Sequence, residues 1–569
     1  MKRQNDLTND VGEAIIEIYF IGERRAIKML RRFLKSVIDY GICIYLVLIL
    51  AVMPFFNREG YEHIGTDKSY FFNTVTVNVG KILIPAAVVY LVVTWISQKR
   101  EFWSRLRQNV TLTDLFAAGY GLALFVSWLL SEYRSNALWG AKGWYMGFFP
   151  QMFLLLIYFF VSKLWKPRPW MLYLALGASA AVFLLGYLNR FEIDPLHMAT
   201  DNSSFISTIG NINWYCGYLV SIFFAGVVLL WKCDGEKLWQ KILLMLYVAV
   251  GFGTLVTQGS DSGMVALAVV MLVLFVMSAP DRDRMIMFWE EALLLGVVCL
   301  ITYAVRKAGP DQGNYHEGFG LFLISGWRPF FMTVVSLVAL VLLYRNRDRG
   351  LYPEKGIRIL SRVVAATAAG AVPLVLILAA INTARPGSLG PLSEYSLFTF
   401  SMKWGSNRGA TWTMGWKCFV EQNWLHKMVG VGPDSMPEYI YRDGSEDLLA
   451  LVKDVFANRR LSNAHNEWLT VLVNTGIMGL TTFAGMMISA IRSFLREGRK
   501  NKLVCACGFC MLAYTVNNIF SFQQAMSVAT IFVIFGMGSA FLQEKPQQEK
   551  NRKKKPQKKN YHKKKTKKK

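Results

Sequence analysis

Apolar runs close to the length that crosses a bilayer as a helix, about 20 residues, recur along almost the whole chain. They lie near 38–56, 79–98, 113–130, 146–163, 170–188, 212–231, 241–259, 263–279, 292–305, 330–344, 363–381, 467–491, 503–521 and 525–542. Hydrocarbon offers no water to open backbone groups, so segments of this kind fold as helices whose hydrogen bonds close internally. The sequence therefore predicts an all-α polytopic membrane protein with about fourteen transmembrane helices. Such spans pack as one bundle, not as a series of soluble cores.

The Lys and Arg residues of the short links give the orientation. Lys99, Arg100, Arg105 and Arg107, then Lys163, Lys166 and Arg168, then Arg345, Arg347, Arg349, Lys355, Arg358 and Arg362, and finally Arg492, Arg496, Arg499, Lys500 and Lys502 fall on one side. That side is expected to be cytoplasmic, with both termini there, in a plasma (inner) membrane. The net charge of +25 resembles that of a nucleic-acid binder, but residues 545–569 hold 14 Lys or Arg against one Glu. About half the excess is thus confined to a tail that suits anionic lipid, and no nucleic acid is expected. The basic arm before the first run is too long for a cleaved signal and lacks a small-residue cleavage site, so a retained first span is expected. The division is 1–37 cytoplasmic arm, 38–381 helices one to eleven, 382–466 extracytoplasmic loop, 467–542 helices twelve to fourteen, and 543–569 a disordered Lys-rich tail.

Between Arg408 and His465 runs a long polar stretch that nevertheless carries Trp412, Trp416, Phe419, Trp424 and Phe456. Long loops in compact proteins are uncommon and usually either functional or disordered, and aromatic content argues against disorder. Ser406 and Asn407 are expected to cap an amphipathic helix bearing Trp412, Trp416, Phe419 and Val420. Gly430-Val431-Gly432-Pro433-Asp434 reads as a turn, the stretch onward to Arg460 has no clear period, and Ser462 and Asn463 are expected to cap a helix from about Ala464. His63, His197, His316, His426 and His465 all fall in outer segments. Cys505, Cys507 and Cys510 lie in an apolar span where small soft residues pack, so neither a metal site nor a cofactor is expected.

Several stretches, in this order, resemble the O-antigen ligase and O-antigen polymerase superfamily of membrane glycosyltransferases. They are Gly210-Asn211-Ile212-Asn213-Trp214, Arg408-Gly409 with Trp412, Gly430-Val431-Gly432-Pro433, Ala464-His465-Asn466-Glu467-Trp468-Leu469 and Gly476-Ile477-Met478-Gly479-Leu480. The resemblance implies a GT-C-like bundle with a large extracytoplasmic helical loop. It also implies transfer of a glycan from a polyprenyl diphosphate donor to a hydroxyl on a glycan, lipid or protein acceptor, by a ligase or by a repeat-unit polymerase. Arg408 and His465 are the pair it marks as catalytic.

Elementary chemistry allows both roles. A guanidinium offers a fixed fork of donors to a departing diphosphate, and a neutral imidazole is what a general base for a hydroxyl requires. Placed in the first turn of a helix, His465 would be held neutral by the macrodipole, with Glu467 pulling the other way. Asp261, Asn463, Asn466, Glu467, Asn211 and Asn213 are supporting candidates, and Arg459, Arg460, Arg385 and Arg328 are candidates for further diphosphate contacts. The chain departs from the superfamily pattern at Asp261, where a cation is expected. Arg408 equally suits a lipid headgroup, His465 a helix cap and Asp261 a hydrated turn. A glycan transporter is the reading from another class, to be recognised by internal repeats and by charged or broken helices.

Overall fold

The computed structural model describes residues 2–141, 143, 145–198, 202, 204–309, 318–348, 352–457 and 460–553. The helices in chain order are α1 (Lys2–Val47), α2 (Ile64–Gln98), α3 (Arg100–Asn109), α4 (Leu112–Leu130), α5 (Arg134–Trp139), α6 (Phe148–Lys163), α7 (Pro169–Asn189), α8 (Ile212–Trp231), α9 (Leu238–Thr257), α10 (Asp261–Ser278), α11 (Arg282–Ala308), α12 (Phe319–Leu323), α13 (Arg328–Asp348), α14 (Glu354–Ala384), α15 (Trp404–Glu421), α16 (Trp424–Val429), α17 (Met436–Arg442), α18 (Glu446–Phe456), α19 (Glu467–Gly498), α20 (Lys502–Asn517) and α21 (Ala525–Lys553). The one sheet among the described residues is a two-residue antiparallel pair, β1 (Phe205–Ile206) with β2 (Gly210–Asn211), at the head of α8.

The protein is an all-α polytopic membrane protein. Twelve helices among the described residues are long and apolar enough to cross a bilayer, and two shorter apolar ones, α6 and α20, lie on the remaining expected runs. α8 is the hub: 94 % of its apolar window is buried, so its neighbours α9, α20 and α21 meet around it instead of facing lipid. Close approach is bought by small residues, as where Gly217 of α8 faces Ser527 of α21.

The two ends of the bundle differ. At one end, cations near the helix joints meet carboxylates: Lys163 with Asp114 at 2.6 Å, Arg168 with Asp39 at 2.6 Å, Lys241 with Glu290 at 3.1 Å, and the pairs Arg284–Asp234 and Lys502–Glu236. The other end carries the segment after α14. There α15–α18 and the neighbouring turns enclose a second, smaller core built from Tyr133, Ala410, Met414, Ile440, Leu448 and Ala464, among others.

Several expectations are corrected. Residues of the N-terminal arm and the start of the first span share one helix, α1, which runs from Lys2 to Val47. The tail is helical as far as Lys553, and residues 554–569 lie outside the described ones, as does His316. Ser406 and Asn407 do not cap α15 through their side chains. Gly405, Ser406 and Asn407 are left-handed, with φ of 57°, 58° and 69°, so they form a kink that re-aims the chain before Arg408.

α19 is not a continuous span. At Gly476, φ is 67° and ψ is −170°, a conformation essentially confined to glycine. The break frees carbonyls of the preceding turn, and the loop supplies their donors: Val431 N–H bonds to Val473 O at 3.2 Å and Gly432 N–H to Asn474 O at 3.0 Å. Ser127 Oγ of α4 donates to Asn474 O at 2.7 Å. Loop and span are thereby stitched together at one level of the bundle.

Candidate functional site

Arg408 follows the kink, where it is partly buried. Its Nε donates to Phe520 O at 2.9 Å and its Nη1 to Gly405 O at 3.0 Å, while no described residue accepts from Nη2. Burial lowers its pKa and the charge of Asp261 opposes that shift, yet no described carboxylate reaches ion-pair distance. A guanidinium held by backbone carbonyls alone keeps part of its donor fork available.

Phe520 belongs to Asn518–Gln524, an irregular strap joining α20 to α21 that is buried except at Ile519 and Phe520. The strap also sets His465, whose ring meets Phe522 edge-on with centroids 4.9 Å apart, and Glu467, whose Oε2 accepts from Gln523 N–H at 2.8 Å. Alternate residues of one short segment thus position the cation and the imidazole.

His465 does not stand in the first helical turn as expected. Asn466, not Ser462 or Asn463, is the cap of α19, its Oδ1 accepting from Leu469 N–H at 3.1 Å. His465 precedes it with φ of 49°, a left-handed conformation that a non-glycine residue adopts at a cost and that often marks a working site. Asn463 holds that turn, its Oδ1 accepting from His465 N–H at 2.9 Å. Burial, aided by the charge of Arg408, holds the imidazole pKa down to about 4. The ring is therefore neutral for a reason other than the helix dipole, and no described residue hydrogen-bonds its nitrogens.

Beside this pair runs an open groove of about 480 Å³, lined by Phe400, Trp412, Trp416, Trp468, Leu469 and Leu472. Trp412 stacks on Phe520 at 5.9 Å, so the groove ends at the ring whose backbone holds Arg408. Behind His465 lies a small polar cavity of about 30 Å³ bounded by Tyr120, Gln151, Asp434, Asn463, Glu467 and Gln523.

The remaining candidates separate. Asn211 caps α8, its Oδ1 accepting from Asn213 N–H at 2.9 Å, and Asn213 Oδ1 accepts from Ser260 Oγ at 3.0 Å. Asp261 opens α10 and accepts from Phe319 N–H at 2.8 Å, with its charge felt at Arg408. Of these three, Asp261 is the one linked to Arg408. Arg460 is engaged elsewhere, in a 2.6 Å pair with Glu438. Arg328 sits over Phe322 at 3.7 Å and donates to Phe322 O and Ser325 O. Arg385 is exposed at the end of α14, and Arg459 lies outside the described residues. Among the described residues one His/Glu cluster is tight enough to share a cation, the exposed Glu59, Glu62 and His63 between α1 and α2.

Sequence reasoning missed the strap, Asp434 and Arg190. Arg190 is fully buried, with Nη2 donating to Gln258 O at 2.5 Å, so it secures the turn before Asp261. A signal for the strap existed: Asn517-Asn518 and Gln523-Gln524 place four carboxamides in a brief interruption between two apolar runs. No protein-family model matches the chain, and no curated protein is detectably similar to it.

Proposed function

We propose that the protein is a membrane glycosyltransferase of the type its motifs resemble, moving a glycan from a polyprenyl diphosphate to an acceptor hydroxyl. In this reading fourteen helices cross a plasma (inner) membrane, both termini are cytoplasmic, and the loop faces the opposite, extracytoplasmic side. The carrying observation is one cation with open donors, at the end of an aromatic groove, sharing the Phe520–Phe522 strap with a neutral imidazole. The groove suits an apolar chain, and Arg408 suits the diphosphate at its head.

In the transfer step the acceptor oxygen bonds to the anomeric carbon, and the bond from that carbon to the diphosphate oxygen breaks, the electron pair leaving with the diphosphate. His465 takes the hydroxyl proton. Arg408 meets the charge that gathers on the leaving group, and buried donors of this kind are worth roughly 10²–10³ in rate. Asp261 balances the guanidinium without occupying its fork.

The broken α19 is the one feature that favours a transporter. Its Val473 and Asn474 carbonyls are already bonded to Val431, Gly432 and Ser127, so these two are not available to line an ion or substrate site. Mass spectrometry of polyprenyl-linked glycans from cells lacking the protein tests the reading. Long lipid-linked polymer is expected to accumulate if the protein is a ligase and single repeat units if it is a polymerase, with rescue by wild type and not by His465→Ala. An unchanged pool would remove the transferase reading.

A further inference from the structure

The cavity behind His465 contains two carboxyl groups and no cation. Asp434 is 7 % exposed and Glu467 5 %. Asp434 Oδ2 accepts from Ala141 N–H at 2.8 Å and Met146 N–H at 3.2 Å, and Glu467 Oε2 from Gln523 N–H. The second oxygen of each carboxyl has no described donor. Gln523, 6 % exposed, lines the same cavity with its Nε2 unpartnered. Two buried acids and an idle carboxamide around one polar void call for water, and without a counter-cation they cannot both stay ionised.

The other titratable groups facing the pair are Tyr120 of α4 and Tyr514 of α20. Tyr120 gives its hydroxyl proton to Gln151 Oε1 at 2.7 Å. The remaining lining residues, Met146, Asn463, Thr470, Val471, Asn474, Thr475 and Phe522, carry no charge. His465 lies one residue away from the void, contacting two of its lining residues through its N–H bond to Asn463 and its ring contact with Phe522.

We infer that Asp434 and Glu467 are a buried carboxyl pair that holds one proton between them and takes up, from His465, the proton lost by the acceptor hydroxyl. The second half of this inference rests on the transferase reading. The O–H bond of the acceptor breaks, its proton passes to His465 and then to the ionised member of the pair, and it leaves to the aqueous face as product departs. His465 is restored neutral for the next turnover. Asp434 and Glu467 touch no substrate, so they act through His465, and a proton-linked readout distinguishes them from scaffolding.

The test is infrared difference spectroscopy of the full-length protein in phosphatidylcholine vesicles, titrated through neutral pH. Read as the difference between wild type and the double variant, which removes the background of other buried carboxyls such as Glu291, a deuterium-sensitive carbonyl stretch of a protonated carboxyl is expected at pH 7, titrating in two steps in wild type and in one step in Glu467→Gln and Asp434→Asn. No difference between wild type and the double variant overturns the pair. Where Glu467→Gln fails to fold, Asp434→Asn carries the comparison, because its amide oxygen still accepts from Ala141 and Met146. For proton uptake, lipid-linked glycan extracted from cells lacking the protein is the substrate. Glu467→Gln is expected to turn it over about tenfold to a hundredfold more slowly, with a shifted pH profile and unchanged KM. An unmoved profile and rate overturn the uptake step. If wild type itself does not consume that substrate, the transferase reading fails while the infrared band still decides the pair.

Discussion

The two ends of the bundle handle charge in opposite ways. At the end of Arg168 and Arg284, five cations each meet a carboxylate, while Glu291, beside the paired Glu290, is fully buried with neither oxygen hydrogen-bonded. At the loop end Arg408 is anchored by two backbone carbonyls, and Asp434 and Glu467 by backbone N–H groups. Cation and acids sit on either side of His465 without pairing. The loop end does pair Arg460 with Glu438, so leaving Arg408, Asp434 and Glu467 apart is selective, and under the proposed function these charges are held for substrate.

The largest effects test the uncompensated end. His465→Ala is expected to abolish rescue in the lipid-linked glycan measurement, and Arg408→Lys to lower turnover roughly 10²-fold, since a point ammonium lacks the planar fork. Both are expected to leave the unfolding temperature within a few degrees. An Arg408→Lys variant with wild-type turnover would show that only charge matters there.

Next comes the join between loop and span. A Cβ on Gly476 would lie 2.3 Å from the Met428 carbonyl, in a backbone conformation closed to other residues. Gly476→Ala is expected to cost about 3 kcal/mol or more and to open the loop to limited proteolysis ahead of the bundle. Equal protection of loop and bundle in that variant would contradict the stitching of Val431 and Gly432 to α19.

How much of this the sequence disclosed follows from what governs each feature. Span positions depend on apolar length, a local property, and every expected run lies on a helix. The kink at 405–407, the break at Gly476 and the cap at Asn466 depend on tertiary partners. Ser462 and Asn463 were expected to cap the helix, and the bond from Leu469 N–H to Asn466 Oδ1 shows that Asn466 does. Arg408 and His465 were named by motif, and the structure brings both to one strap. Arg460 and Arg328 were named by residue type alone, and local acceptors take them up. Asp434 was read as part of a turn, because nothing in its neighbourhood in sequence reveals that Ala141 and Met146 close over it.

Smaller effects come from the compensated end. Arg168→Ala leaves Asp39 without its 2.6 Å partner and is expected to cost about 1–3 kcal/mol of stability, read as a lowered unfolding temperature with transfer intact. Loss of transfer at equal folded protein would mean that the two ends are coupled.

The smallest expected effect concerns pH. Burial raises the Asp434 carboxyl from 3.8 to about 7, against the pull of its two N–H donors. A group whose folded pKa is raised contributes stability that is present in acid and is lost as pH climbs from its unfolded value through about 7. Unfolding temperature is therefore expected to fall across neutral pH in wild type and to vary less in Asp434→Asn. Identical slopes would place the titration elsewhere.

The most direct measurement is binding of a polyprenyl diphosphate to the purified protein in nanodiscs, comparing wild type with Arg408→Ala and Arg168→Ala. Binding that survives Arg168→Ala and falls at least tenfold in Arg408→Ala is the predicted result. Equal loss in both variants, or none in either, would contradict the assignment of the loop end as the diphosphate site.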